Sequence, residues 1–367
     1  MENSLDALRQ ILNITPLAQL LFVEETLEAV SPEAQRLLPG LRPGDSAAAV
    51  FGEALEDFRR FQGSGSILFS ADLGGFRCDV TVSGLRDACL ATVTAAQEDR
   101  DNITMLSLAE RTRQPIASIL SVTPQLLPQL EGEERTMDRV SVVNQGLYRL
   151  MQITENLEVY AQGRIVLHRR PVELGNWFQD LTDHMAPLFE AADRTLTYQQ
   201  PEGICMCSMD PEYMRLAVLN LVSNAIKFSR AGGTIHLNIR RTGSRLWISV
   251  RDQGVGIPTD QMGLVFQRSE HRGLLPDPRW GVGLGLPVAR KIVEAHGGRI
   301  MLESQENVGT SVHLALEACA NGGQLSLRSP VELPGGRAGE SSGIDPVLVL
   351  LADALPAAVF DTRNVDL

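Results

Sequence analysis

The chain has 367 residues, with 44% hydrophobic and 21% charged residues and a formal net charge of −12. Its length predicts two to three domains at roughly 150 residues each, and its composition is that of globular protein rather than of a disordered chain. The acidic surplus argues against a nucleic-acid partner, because phosphate backbones attract basic surfaces, but leaves room for a nucleotide in a local site.

The start, "MENSLDALRQ", holds no basic stretch followed by an apolar run, so no leader is read there. The longest apolar run, "PVLVLLADALPAAVF", is too short to span a bilayer and carries an acid and prolines. Cysteines 78, 89, 205, 207 and 319 are odd in number and scattered, which favours buried or free thiols over a metal site. The cytoplasm is the expected compartment. Of 33 basic residues only Lys227 and Lys291 are lysine, so the place where Lys227 falls carries weight.

Within residues 1–95, "AQLLFVEETLEAVSPEAQRLL" predicts strand, turn, strand and helix. "SILFSADLGGFRCDVTVSGLRDACLATVTA" predicts two or three strands broken at Gly-Gly and Ser-Gly. This order resembles a short PAS domain, a small sensor fold.

Residues 96–163 turn helical. Met105, Leu108, Thr112, Ile116, Ile119, Val122 and Leu126 mark one stripe, with Pro115, Pro124 and Pro128 expected to bend or end it. After "EGEE", Val140, Val143, Leu147, Leu150, Thr154, Leu157 and Ala161 step by three and four along a second helix, as in a heptad seam. Two such helices form a hairpin whose uncovered stripe predicts a homodimer closed as a four-helix bundle. Glu110 lies off the stripe and is expected to face solvent.

Residues 164–317 predict an α+β block. Strands are expected near 165–172, 195–207, 234–241, 245–252, 299–304 and 309–316, and helices near 174–192, 211–229 and 284–296. Residues 318–367 combine a Gly-, Ser- and Pro-rich linker with a short apolar segment, 345–360, expected to dock back onto the protein.

Three clusters in the α+β block carry chemistry. In "LAVLNLVSNAIKFS", Asn220, Asn224 and Lys227 are spaced four and three apart on one helix face, where amide oxygens suit Mg²⁺ and the ammonium suits phosphate. In "WISVRDQGVGIP", a strand ends at Asp252, which suits an exocyclic amine, and Gly254 and Gly256 leave room for a flat ligand against backbone. In "WGVGLGLPVARKIVEAHGG", Gly281, Gly283 and Gly285 lead into a helix, a natural phosphate site. Leu286 replaces the last glycine of a dinucleotide fingerprint, and a Walker loop is absent.

In this order the clusters resemble the N, G1 and G2 boxes of the ATP-binding domain of sensor histidine kinases, the GHKL or Bergerat fold. "LVFQRSEHRG" is similar to the F box, and "NVGTSVHLAL", with Gly309 and Thr310, to the last glycine box. The preceding hairpin resembles the family's dimerisation domain. The resemblance implies an α+β multidomain protein: a PAS-like α/β sensor, a hairpin forming a dimeric four-helix bundle, and a GHKL α/β sandwich. It further implies ATP and Mg²⁺ as cofactors and a response regulator or other signalling protein as partner. By position, Asn224 would hold Mg²⁺ with Asn220 nearby, Lys227 would touch phosphate, and Asp252 would read adenine with Gly254 and Gly256 against the base. Residues 267–282 would form a lid carrying Arg268, Arg272 and Arg279.

The family's acceptor helix reads roughly His-Glu-x-Arg-Thr-Pro. Aligned on Pro115, Glu110 stands at the histidine, Arg111 at the acid, Arg113 at the arginine and Gln114 at the threonine; with one insertion, Ala109–Glu110 would match His-Glu. In either case the six histidines are 168, 184, 236, 271, 296 and 313, and none lies between 97 and 162. The expectation is ATP-dependent signalling without self-phosphorylation on histidine. It takes the form of an ATP-gated switch, or of a response-regulator phosphatase in which Gln114 orients water. Transfer to Ser107, Thr112, Ser118 or a partner protein is the alternative. A GHKL ATPase machine is the reading from another class, for which a glutamate rather than Asn220 would be expected.

Overall fold

In the computed structural model, which describes residues 2–61, 63–85, 88–95, 102–126, 134–266, 283–319 and 344–361, helix α1 (Glu2–Ile14) precedes the antiparallel strands β1 (Gln19–Val23) and β2 (Thr26–Val30). Helix α2 (Pro32–Leu37) starts where Ser31 accepts the Ala34 N–H and Pro32 fills the first position, where a missing donor is harmless. Short helices α3 (Ala47–Phe51) and α4 (Leu55–Arg59) lead to a meander of β3 (Ser66–Leu73), β4 (Phe76–Leu85) and β5 (Ala88–Ala95). Gly74 and Gly75 turn between β3 and β4, both at positive φ. The turn expected at Ser83-Gly84 does not form. β4 runs straight through it, and a side chain at Gly84 would strike the Gly63 carbonyl. Phe22, Phe51, Phe58 and Phe69 fill the core of this part, Phe51 stacking on Phe58 with ring centroids 4.7 Å apart.

The helical stretch is two long helices, α5 (Asn102–Val122) and α6 (Glu134–Ala161). Pro115 does not end α5; the helix continues past it and closes in a 3₁₀ turn at Thr123–Leu126. Ala109, Ile116 and Leu120 of α5 are buried, as are Met137, Met151 and Val159 of α6, and Arg113 bridges the helices to Glu155 and Glu158 at 3.5 and 3.4 Å. Leu108, Ile119 and Val122 on α5, and Val143 and Leu150 on α6, remain exposed. Among the described residues of the expected stripes, only Ile116 on α5 and Thr154 and Ala161 on α6 are buried; the other buried positions lie off them.

The remaining elements are β6 (Arg170–Glu173), α7 (Leu174–Ala191), β7 (Thr195–Gln199), β8 (Met206–Met209), α8 (Pro211–Phe228), β9 (Thr234–Thr242), β10 (Arg245–Arg251), α9 (Thr259–Met262), α10 (Gly285–Ala295), β11 (Arg299–Gln305), β12 (Gly309–Glu317) and α11 (Pro346–Leu351). The strand expected at 195–207 is two strands in different sheets: β7 runs parallel to β9, while β8 pairs antiparallel with β6. Pro201 and Gly203 lie in the break, Gly203 at positive φ, where a continuous strand is disfavoured. The strand expected from 165 begins only at Arg170.

Contacts divide the chain into two compact units. The first comprises residues 1–98, 255–267 and 299–313; the second comprises 99–254, 268–298 and 314–367. In the first, β11 pairs antiparallel with β3, Phe69 opposite Met301 and Ser66 opposite Ser304, giving the order β2-β1-β5-β4-β3-β11. In the second, α8 and α10 pack together, α8 lies on β9 and β10, and α7 lies on β7, a helix-on-sheet sandwich. Among the described residues no helix is long and apolar enough to cross a membrane.

Candidate functional site

Helix α8 organises the second unit. Asp210 caps its N-terminus, accepting the N–H groups of Glu212 and Tyr213, and Pro211 occupies the first turn. The backbone N–H of Asp210 in turn donates to His296 Nε2 at 3.0 Å, tying the helix start to the end of α10. Leu216, Leu219, Val222 and Ile226 are buried, as the sequence pattern predicts.

Asn220 is buried on α8 and makes a reciprocal amide pair with Asn156 of α6. Asn220 Nδ2 donates to Asn156 Oδ1 at 2.7 Å, and Asn156 Nδ2 donates back to Asn220 Oδ1 at 3.1 Å. Gly285, which opens α10, abuts the same side chain: a Cβ there would sit 3.1 Å from Asn220 Oδ1. At the C-terminal end of α8, a side chain on Gly254 would collide with the Phe228 carbonyl oxygen and crowd Asp252. Asp252 is buried and its Oδ1 accepts the Gly254 N–H at 2.8 Å. Glycines of two separate sequence clusters thus approach one helix closely, Gly254 of necessity and Gly285 with little room beside it. Gly283, ahead of α10, has φ +72°, a backbone conformation that suits glycine.

Asn224 is partly exposed and has no hydrogen-bond partner among the described residues. Lys227, on the same helix, is not free. Its Nζ lies 2.6 Å from Asp353 Oδ2, in the segment that follows α11. Ser223 donates to the other oxygen of that carboxylate at 2.7 Å, and Gln152 of α6 also reaches it, at 3.1 Å. Burial pushes the Asp353 carboxyl up, but the Lys227 charge and the bonds from Lys227, Ser223 and Gln152 outweigh it and hold the group below the usual carboxylate range.

Two expected site residues belong to the first unit. Gly256 has φ +67°, and a Cβ there would run into the Gln305 carbonyl, so both backbone and space require glycine. Thr310 Oγ1 lies 3.0 Å from Ser304 Oγ, which also accepts the Ile257 N–H at 2.8 Å. Gly281, Arg268, Arg272, Arg279 and the rest of the expected lid lie outside the described residues. Glu110 and Gln114 are both exposed on α5, four residues apart and so on one side of the helix. No cluster of three or more His, Cys, Asp or Glu fit to hold a metal occurs among the described residues.

Sequence reasoning missed Asn156, Gln152, Ser223 and Asp353. Asn156 and Gln152 look like ordinary polar positions of a long helix. Asp353 did carry a signal: it is the one acid inside the apolar run near the C-terminus.

Residues 209–319 match the family model described as histidine kinase-, DNA gyrase B-, and HSP90-like ATPase. Over 194 residues the chain is 31% identical to the adaptive-response sensory kinase SasA of Synechocystis sp., a match covering 52% of this chain and 48% of that protein. It is 28% identical over 217 residues to the alginate biosynthesis sensor protein KinB of Pseudomonas aeruginosa, covering 58% of this chain and 36% of that one. The chain spans less than half the length of these curated relatives. Among solved structures, full-length ShkA in complex with AMPPNP shares the fold over 61% of this chain and 47% of that chain, at TM-score 0.50 and 20% identity. The chain therefore carries a histidine-kinase-like ATPase sandwich.

Proposed function

We propose that the chain is a dimeric, cytoplasmic signalling protein that binds Mg-ATP and does not phosphorylate itself on histidine. It acts as an ATP-gated switch or as a phosphatase toward a response regulator. The observation that carries the reading is α8, which bears Asn220, Asn224 and Lys227 on one helix while glycines of the two later clusters approach its middle and its C-terminal end.

The donor set fits a magnesium nucleotide. Asn224 offers an amide oxygen to the hydrated metal, and Lys227 offers a positive charge that already holds a carboxylate oxygen of Asp353 in this structure. Buried Asp252 suits an adenine amine, with Gly254 beside it. Bound ATP would supply a polyanion whose presence or absence changes the shape that a partner meets. Asn220 argues against an ATPase machine, because a carboxamide does not take a proton from water, and this one is clasped by Asn156.

On the hairpin, exposed Glu110 presents a fixed carboxylate where the family's acceptor would stand, and Gln114 presents an amide able to orient water against a partner's phosphoaspartate. The hydroxyl alternative is weaker for two of its candidates. Thr112 donates to the Leu108 and Ala109 carbonyls, and Ser118 to the Gln114 carbonyl, so both are spent on their own helix. Titration calorimetry with Mg-ATP tests the site: Asn224→Ala should bind at least tenfold more weakly than the natural chain, about 1.4 kcal/mol or more. Equal affinities would remove the site.

A further inference from the structure

The segment Asp345–Asp361 is seated on the second unit by an unusual set of bonds. Asp345 caps α11, and Val347 through Ala352, Leu355 and Phe360 are all buried. Helix α6 receives the segment with side chains rather than with a simple apolar stripe. Gln152 donates to the Leu350 carbonyl at 2.7 Å, Gln145 to Leu355 at 2.6 Å, Asn144 to Phe360 at 3.2 Å and Arg149 to Ala352 at 3.3 Å. The Phe360 ring rests 5.1 Å from that of Tyr148. Buried amides are expensive to leave unpaired, so this face of α6 is built for a segment whose carbonyls turn inward.

What the seat does with Asp353 matters most. It brings a single carboxylate to Lys227 and Ser223, side chains of the helix that would hold the nucleotide phosphates. We propose that residues 345–361 form a built-in competitor of nucleotide, with the Asp353 carboxylate occupying the anion position on Lys227 that an ATP phosphate would take, so that docked segment and bound nucleotide exclude each other. The proposal rests on the nucleotide reading of α8 given above and adds its regulation.

Carboxylate and phosphate would share the same donors. A lysine side chain that is 10% exposed has little room for a second anion while Asp353 holds its ammonium at 2.6 Å, and Ser223 has one proton to give. Phosphate oxygens carry more charge than a carboxylate, so nucleotide can win. When it does, the carboxylate is left without Lys227 and Ser223 and must return to water. Because Gln152 bonds both Asp353 and the Leu350 carbonyl, loss of the carboxylate contact also loosens the end of α11. Nucleotide binding would thereby uncover the amide-lined face of α6.

The test compares Mg-AMPPNP affinity of the full chain with that of Asp353→Asn and Phe360→Ala, and follows backbone hydrogen exchange of residues 346–361 with and without nucleotide. Asp353→Asn removes the charge that competes for Lys227; Phe360→Ala keeps that charge but loosens the seat at Tyr148. Both should tighten nucleotide binding at least tenfold, and saturating nucleotide should accelerate exchange across 346–361 in the natural chain. Unchanged affinity in both variants, or unchanged exchange on saturation, overturns the competition while leaving the nucleotide site in place. Absence of binding in the natural chain and in both variants overturns the nucleotide reading, and the competition with it.

Discussion

Asn156 and Asn220 hold each other through two amide hydrogen bonds, of 2.7 and 3.1 Å, between the second hairpin helix and the helix that carries the candidate nucleotide site. Both residues are buried, so neither amide has water as an alternative partner. The pair is a direct mechanical link between the hairpin and the site, and it has a measurable consequence. Asn156→Ala strips both bonds and should destabilise the protein by about 1–3 kcal/mol, because it leaves the Asn220 oxygen buried without its partner. Urea unfolding measures this. A loss below about 0.5 kcal/mol, the range of ordinary surface changes, would show that the pair holds nothing.

Gly254 is a steric requirement. A methyl group there would meet the Phe228 carbonyl at the end of α8 and Asp252 Oδ1, and backbone cannot yield as a flexible side chain does. Gly254→Ala should destabilise by about 1–3 kcal/mol. A variant as stable as the natural chain in thermal melts would mean that α8 and the turn separate easily.

The proposed dimer would form on the hairpin residues left exposed, Leu108, Ile119, Val122, Val143 and Leu150. Light scattering at micromolar concentration should give the mass of a dimer, and Leu150→Glu should shift it toward monomer. A natural chain that stays monomeric would contradict the bundle.

His296 sets a pH dependence. Its Nε2 accepts the Asp210 N–H and its Nδ1 faces the Ile292 carbonyl at 2.8 Å, so the neutral ring is the form built into the fold. Burial pushes its pKa down, opposed by the Ile292 bond, with Arg169 lowering it and Asp210 raising it. The unfolded chain therefore takes up this proton first as pH falls below about 6.5, and stability drops from there downward. His184 works in the opposite sense, since the bond to Asp345 raises its pKa and favours the folded state when it is protonated. The contribution of His296 is isolated by comparison with His296→Gln, whose melting temperature should fall less between pH 7.5 and 5.5. Parallel falls would contradict the assignment.

The helices were legible in the sequence because their signals are local. Asp210-Pro211 starts α8, Gly297-Gly298 ends α10, and apolar spacing marks the buried faces between. Strand breaks were less legible. Residues 195–207 read as one strand although Pro201 and Gly203 are local breakers, and which sheet each of β7 and β8 joins is decided by partners distant in sequence. The pairing of β11 with β3 has the same character, joining positions more than 200 residues apart. In the candidate site, the spacing of Asn220, Asn224 and Lys227 along one helix face was readable in the sequence, while their proposed roles rest on the family resemblance. Asn156 and Asp353 could not, because their meaning comes entirely from the side chains they meet.

The central claim is that the chain holds ATP without transferring phosphate to a histidine of its own. Purified protein incubated with Mg-ATP labelled at the γ-phosphate, with bound nucleotide and covalent label measured in one sample, tests it most directly. The account predicts bound ATP and no acid-labile label on the protein. Acid-labile label, accumulating with time and retained after the nucleotide is removed, would contradict it.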